Sequence, residues 1–250
     1  MSTPSPQRRV QRVRHELRRR EVQVVRIEQL GNAFASITFH GEDLADFHSA
    51  AFDDHIKFIF EDGAGNLVKR DYTPRRFDPA RRELTLEFTL HGNGSACTWA
   101  RRATLGLPVS IGGPRGSLII PMDYDWHLLI GDASALPAIS RRLEELPAKS
   151  QVQVMLLANT STDRRTLSSA APLQPRWFDS AETLLAAVAA LQFPTGEGFA
   201  WAAGEASLMK DIRRLLINTH GQPKEAMRVA AYWRQGAEGF HEELTELDDQ

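Results

Sequence analysis

The feature that most constrains this chain is a change of rhythm near residues 122–126. From 22 to 120 the apolar residues fall in short runs, VQVVRIEQL, ASITFHG, IKFIF, ELTLEFTL and LPVSIGGPRGSLII, with turn formers between them. Runs of that length, rich in β-branched and aromatic residues, predict strands, and their close succession predicts an antiparallel barrel or sandwich. Asp62-Gly63 and Gly65-Asn66 predict a hairpin or loop after IKFIF, while Gly112-Gly113-Pro114 and Gly116 punctuate the last strands. From Tyr124 onward strands and helices alternate. WHLLIGD is an apolar strand, and ALPAISRRLEELP carries Leu136, Ile139, Leu143 and Leu146 at helical spacing. VQVMLLANT, GFAWAAGEA and MRVAAYWR continue as strands, with AETLLAAVAAL and SLMKDIRRLLINTHG as the helices between them, the latter stopped by Gly221. Such alternation predicts a parallel sheet covered on both faces. The expected division is residues 1–122, an N-terminal arm and barrel, and residues 123–250, an α/β domain with a C-terminal tail.

Composition narrows the function classes. At 42% hydrophobic and 25% charged the chain has the make-up of a globular protein. Thirty Lys and Arg against 32 Asp and Glu leave a net charge of -2, which does not suit a polycation for nucleic acid or a membrane surface. The Arg-rich stretch from Arg8 to Arg20 has no apolar run behind it, and the apolar run from Leu184 to Leu191 is too short to span a bilayer. Cys97 is the single cysteine, so no internal disulfide forms, and no Cys and His cluster has metal-site spacing. These features predict a cytoplasmic protein, expected as a monomer, with no bound metal, no nucleic-acid partner and no membrane contact.

A barrel followed by an α/β half suits a flavin on the first and a nicotinamide nucleotide on the second, but architecture alone does not decide function. Arg70-Asp71-Tyr72-Thr73-Pro74 is expected to close a turn after the hairpin and open the next strand. A flavin needs a cation for its pyrophosphate, an aromatic face for its ring and a hydroxyl or amide donor near N5. Arg70 and Tyr72 would share one strand face, with Thr73 as the donor beside them. The same residues also suit an ordinary half-buried strand with an edge arginine. His91-Gly92-Asn93-Gly94-Ser95-Ala96-Cys97-Thr98-Trp99-Ala100 runs from a strand into a short helix, where small residues and a helix start favour a pyrophosphate or, equally, a simple capped turn.

Taken together, RDYT at 70–73, HGNGSACTWA at 91–100, GPRGS at 113–117, GDASALPAISRRLEELP at 131–147, WAAGE at 201–205 and AAYWRQG at 230–236 resemble the siderophore-interacting protein family, the ferric siderophore reductases. Six ordered segments carry that resemblance across nearly the whole chain. Two departures stand out: the family loop G-P-A-S reads Gly94-Ser95-Ala96-Cys97 here, with Ser95 in place of Pro, which makes the loop less rigid, and Cys97 a small residue in place of Ser. If the contacts come from backbone amides, Ser95 and Cys97 still serve.

The resemblance implies a β-barrel plus α/β protein of the ferredoxin reductase kind with FAD on the barrel. Arg70 would contact the pyrophosphate, Tyr72 would lie against the flavin and Thr73 would bond near N5, with Asp71 inside the same segment. His91, Gly94, Ser95, Ala96, Cys97, Thr98 and Trp99 would hold the ribityl and phosphate groups. Asp132, Ser134 and Ala135 lie where a parallel strand passes into a helix, where nucleotides sit in such sheets. Tyr232, Trp233 and Arg234 would pack on FAD, cover the nucleotide site or close the core, three readings that stand level.

VQVMLLANT ends without an acid for a ribose 2′-hydroxyl, whereas Arg164 and Arg165 follow soon after, which favours the 2′-phosphate of NADPH and keeps NADH as an alternative. Gly204 and Glu205 form a second candidate NADPH contact. The family pattern assigns Lys57 and Arg115 to a ferric siderophore or other ferric chelate, with His55 in a loop hydrogen-bond role. The expected activity is that of an oxidoreductase, a cytoplasmic ferric siderophore reductase passing electrons from NADPH through FAD to chelated Fe(III). No side chain is assigned as acid, base or nucleophile. The alternatives are a general NAD(P)H-flavin reductase with another acceptor and a non-enzymatic siderophore-binding carrier.

Overall fold

The computed structural model describes residues 9–90, 92, 94–237 and 242–244. Two strand layers follow one another along the chain. The first consists of β1 (Gln11–Arg14), β2 (Arg19–Leu30), β3 (Phe34–His40), β4 (Ile56–Glu61), β5 (Leu67–Tyr72), β6 (Arg76–Asp78), β7 (Glu83–Thr89), helix α1 (Ser95–Arg102), β8 (Pro108–Gly112) and β9 (Gly116–Ile119). Seven of these strands form one antiparallel sheet in the order β5-β4-β8-β2-β3-β7-β6, and β1 pairs with β9 apart from it. The two edge strands, β5 and β6, are separated in sequence only by Thr73-Pro74-Arg75, so the sheet must curl until its edges meet as a barrel. Hairpin β4–β5 turns at 62–66, where Asp62 Oδ1 accepts from the amides of Ala64 and Asn66 at 2.8 and 2.9 Å. The RDY residues end β5 instead of opening a strand as expected. Inside the barrel Val22, Val24, Ile37, Phe39, Phe58, Phe60, Leu84, Leu86 and Phe88 pack together, and α1 inserts Trp99 among the aromatic rings. A buried side chain of that size contributes about 1.5–3 kcal/mol.

The second layer contains β10 (Trp126–Gly131), α2 (Leu136–Glu145), β11 (Gln151–Leu157), β12 (Arg176–Phe178), α3 (Ala181–Ala189), β13 (Gly198–Glu205), α4 (Ala206–Arg214), β14 (Met227–Trp233) and β15 (Glu242–Glu243). Its order is β12-β11-β10-β13-β14-β15, parallel except for β15. Alternate residues of β10 and β13 face opposite ways. Leu129, Phe199 and Trp201 pack with α2, whereas Leu128, Ile130 and Ala202 pack with α3 and α4, which accounts for the near-continuous apolar runs. Ser180 caps α3 by accepting from Thr183 N at 3.2 Å, and Glu205 caps α4 by accepting from Ser207 N and Leu208 N at 2.7 and 3.1 Å. No helix among the described residues is long and apolar enough to cross a membrane.

The halves share a core. Phe34, Phe52 and Ile120 of the first lie in the same cluster as Leu136, Ile139 and Trp201 of the second. Charged groups tie the junction as well. Glu87 on β7 pairs with Arg75 at 3.0 Å and with Arg165 at 2.6 Å, and Arg75 reaches on to Glu144 of α2 at 2.6 Å. Asp53 accepts from Trp201 Nε1 at 3.0 Å and pairs with Arg228 at 2.8 Å. His127 on β10 is buried, and burial together with the nearby Arg142 charge pushes its pKa down to about 4.

Candidate functional site

A cleft of about 410 Å³ opens where four segments converge: the end of β5, the start of α1, the β10–α2 turn and the end of β14. It gathers Arg70, Asp71, Tyr72 and Thr73 with Gly94, Ser95, Ala96 and Cys97, then Ser134, then Tyr232 and Trp233. The Arg70 guanidinium donates to Ser95 Oγ at 3.2 Å, which fixes a cation beside the first turn of α1. That helix begins at Gly94 with no side-chain cap, so its leading amides are left for another acceptor. Tyr72 is wedged against Phe88 and Phe58, with centroids 4.4 and 5.7 Å away, and its burial raises the phenol pKa. Thr73 shares a hydrogen bond with the Tyr232 phenol. Cys97 is buried with Sγ 3.5 Å from Gly92 O, and burial raises its thiol pKa, the opposite of what a reactive thiolate needs.

Other expected residues lie elsewhere. Trp99 packs in the barrel core, and neither it nor Thr98 lines the cleft. Ala135 is fully buried beneath the β10–α2 turn. Asp132 is a buried hub whose carboxylate accepts from the amide and hydroxyl of Ser134, from Glu205 N at 2.9 Å and from Trp233 Nε1 at 2.8 Å. Burial raises its pKa against those four hydrogen bonds. It therefore holds Trp233, 43% exposed, at the cleft mouth. Gly204 has to be small at this place, since a Cβ there would come within 2.6 Å of Asp132 Oδ2. Glu205 spends its carboxylate on capping α4. Arg234 stands outside the cleft lining, 3.6 Å from Glu242. Arg164 is exposed, but the Arg165 side chain is only 16% exposed, paired with Glu87, bonded to Ser140 Oγ at 3.1 Å and stacked over Phe34. A nucleotide phosphate would have to break those contacts to reach it. His91 lies outside the described residues.

A second cleft of about 470 Å³ adjoins the first, and the two share His55, Lys57, Lys69 and Asp71 as a common wall. Lys57 and Arg115 both line it, together with Arg18, Arg19 and Lys69. The first cleft also takes in Phe34, Lys69, Glu87 and Thr89, which belong to none of the sequence motifs. Glu87 and Thr89 left one faint trace, as polar residues alternating with Leu84, Leu86 and Phe88 on the opposite face of β7.

Comparison with known proteins bears on this arrangement. The model described as "Siderophore-interacting FAD-binding domain" matches residues 23–69 and 61–118, and that described as "Siderophore-interacting protein" matches 124–236. The chain belongs to the siderophore-interacting protein family. It is 34% identical over 245 residues to the NADPH-dependent ferric-chelate reductase of Escherichia coli, covering 89% of this chain and 96% of that one. It is 29% identical over 248 residues to the ferric vibriobactin reductase of Vibrio cholerae, covering 88% and 91%. A siderophore utilization protein from T. fusca superposes with a TM-score of 0.87 at 30% identity, over 92% of this chain and 98% of its own.

The site fits the family's flavin. The uncapped α1 start and the anchored Arg70 offer a recess for a pyrophosphate, while Tyr72, Phe34, Pro137 and Trp233 supply apolar faces for ring systems.

Proposed function

We propose that this protein is a cytoplasmic, monomeric ferric siderophore reductase that takes electrons from NADPH and passes them through FAD to chelated Fe(III). The observation that carries the reading is the joining of the uncapped helix recess to a cation-lined cleft across the edge strand β5. We divide the chain at 122/123, following the change from antiparallel to parallel sheet.

Bound FAD would supply a carrier that accepts electrons in pairs and releases them singly, as a one-electron acceptor such as iron requires. Around it, Arg70 and the amides of 95–97 would hold the pyrophosphate, and Tyr72 and Trp233 would offer aromatic faces to the ring. Thr73, oriented by Tyr232, would offer a hydroxyl to the cofactor. Asp132 acts indirectly by holding Trp233 and the turn at Gly204 and Glu205 in place. The nicotinamide nucleotide would bind over the ends of β10 and β13, where nucleotides bind in parallel sheets, with the exposed Arg164 as the remaining arginine candidate for its 2′-phosphate. Lys57 and Arg115 bind an anionic chelate, whose oxygen ligands hold Fe(II) less firmly than Fe(III).

The test replaces Lys57 and Arg115 with Gln together and follows NADPH oxidation and trapped Fe(II) with an anionic chelate. Loss of chelate turnover with continued reduction of the bound flavin by NADPH supports the reading. Unchanged chelate turnover removes Lys57 and Arg115 from the acceptor site and points to a general flavin reductase that needs no cationic cleft, whereas a flavin that NADPH reduces but no chelate reoxidises, in the wild type, points to another acceptor. A protein that binds chelate yet takes up no flavin is a carrier, and the enzyme reading falls.

A further inference from the structure

The wall between the two clefts contains a carboxylate that works against the surrounding charge. Register places Lys57 of β4 directly opposite Asp71 of β5, and Ile59 opposite Lys69, so these four share one face of the strand pair. The other face sends Phe58, Phe60, Val68 and Tyr72 toward the barrel core. On the outer face Lys57 Nζ sits 2.7 Å from Asp71 Oδ2. The lysine side chain is 47% exposed, whereas that of Asp71 is 16% exposed, and Asp71 Oδ1 is buried with no hydrogen-bond partner among the described residues.

The rest of the outer cleft is cationic. Arg18 is engaged by Glu16 and Asp46, and Arg19 by Glu21, but Lys69 and Arg115 have no carboxylate partner among the described residues. Asp71 is the one carboxylate lining that cleft among the described residues.

We propose that Asp71 is a specificity-determining residue: by pairing with Lys57 on the shared wall it subtracts charge from the outer cleft and limits the preference for highly anionic chelates over neutral ones. The proposal rests on the outer cleft being the chelate site. Removing the Asp71 charge strengthens attraction for a trianion in proportion to its charge and leaves a neutral chelate unaffected. For a trianion about 7 Å away in a water-like medium, Coulomb attraction with salt screening gives roughly tenfold tighter binding at about 0.01 M salt, roughly threefold at about 0.15 M and almost none at about 1 M.

The experiment is calorimetric titration of FAD-loaded wild type, Asp71→Asn and Asp71→Glu with two redox-inert probes, a Ga(III) tris-catecholate trianion and a neutral Ga(III) trihydroxamate. The expected result is tighter trianion binding by Asp71→Asn alone, fading with salt, with the neutral chelate unchanged. Equal shifts for both probes, no shift, no binding of either probe, or the same tightening in Asp71→Glu would each overturn the proposal. Fe(II) trapping by wild type with NADPH decides the reductase reading separately, because Ga(III) binding requires no electron transfer.

Discussion

Replacing Glu87 with Gln tests whether the buried charge bridge at the junction does the structural work its geometry implies. Glu87 is buried and holds Arg75 at 3.0 Å and Arg165 at 2.6 Å. Removing one partner of a buried ion pair costs about 3–5 kcal/mol, mostly because the remaining charge is left without compensation. Here neither arginine is wholly abandoned: Arg75 keeps Glu144, and Arg165 keeps Ser140 and the Phe34 face. The lower end, about 3 kcal/mol, is therefore expected, which in a chain of this size corresponds to a Tm lower by roughly 6–12 °C. Urea and thermal unfolding of Glu87→Gln, Arg165→Gln and the double variant give the coupling directly. Fully additive effects, or a Glu87→Gln shift under about 0.5 kcal/mol, would refute the bridge. The same Arg165→Gln protein should keep its NADPH to NADH preference within about twofold, since a guanidinium committed to Glu87 is not the 2′-phosphate ligand. A large loss of that preference would restore the role that sequence alone suggested.

Arg70→Ala should weaken FAD binding roughly 10- to 100-fold, the worth of a charge-assisted hydrogen bond, measured by flavin fluorescence on adding FAD to apoprotein; affinity within twofold of wild type would remove Arg70 from the cofactor site. His127 is held neutral by burial and by Arg142, with its pKa at about 4. The unfolded chain, near 6.5, takes up this proton first, so the contribution of His127 is complete above about pH 6.5 and is lost as pH falls toward about 4. His127→Gln should therefore lose less stability than wild type between pH 7 and 5, by about 2 kcal/mol in urea unfolding; parallel pH profiles for the two proteins would show that His127 is not the group responsible.

Much of this architecture was written in local pattern. Alternation in β2 and β7 and the apolar runs of β10 and β13 reported faithfully which faces are covered, because burial on one face or two leaves a direct imprint on residue order. The end of β5 leaves no local signal because KRDY offers no apolar alternation, and β12 and β15, at three and two residues, are too short to leave a pattern. At the site, Arg70, Tyr72 and the 94–97 loop came together as expected, since one motif ends an edge strand and the other begins the helix beside it. Trp99 and Arg165 sit in motifs that suggest ligand contacts, but their surroundings come from distant chain: barrel strands enclose Trp99, and Glu87 captures Arg165. The strand-to-helix turn that carries Asp132 is legible in the sequence, yet its link to Trp233 joins residues 101 apart, beyond the reach of any local pattern. The pairing of Lys57 with Asp71 likewise depends on strand register, which only the folded hairpin reveals.

An electron path from nicotinamide through flavin to chelated iron can be watched in an anaerobic absorbance series on the FAD-reconstituted protein. NADPH is added first, and a ferric tris-catecholate with an Fe(II) trap follows. NADPH should bleach the flavin, and the chelate should restore its colour with two trapped Fe(II) per NADPH, because a hydride carries two electrons and each iron accepts one. A flavin that bleaches but remains reduced in the presence of the chelate, with no Fe(II) trapped, would contradict it.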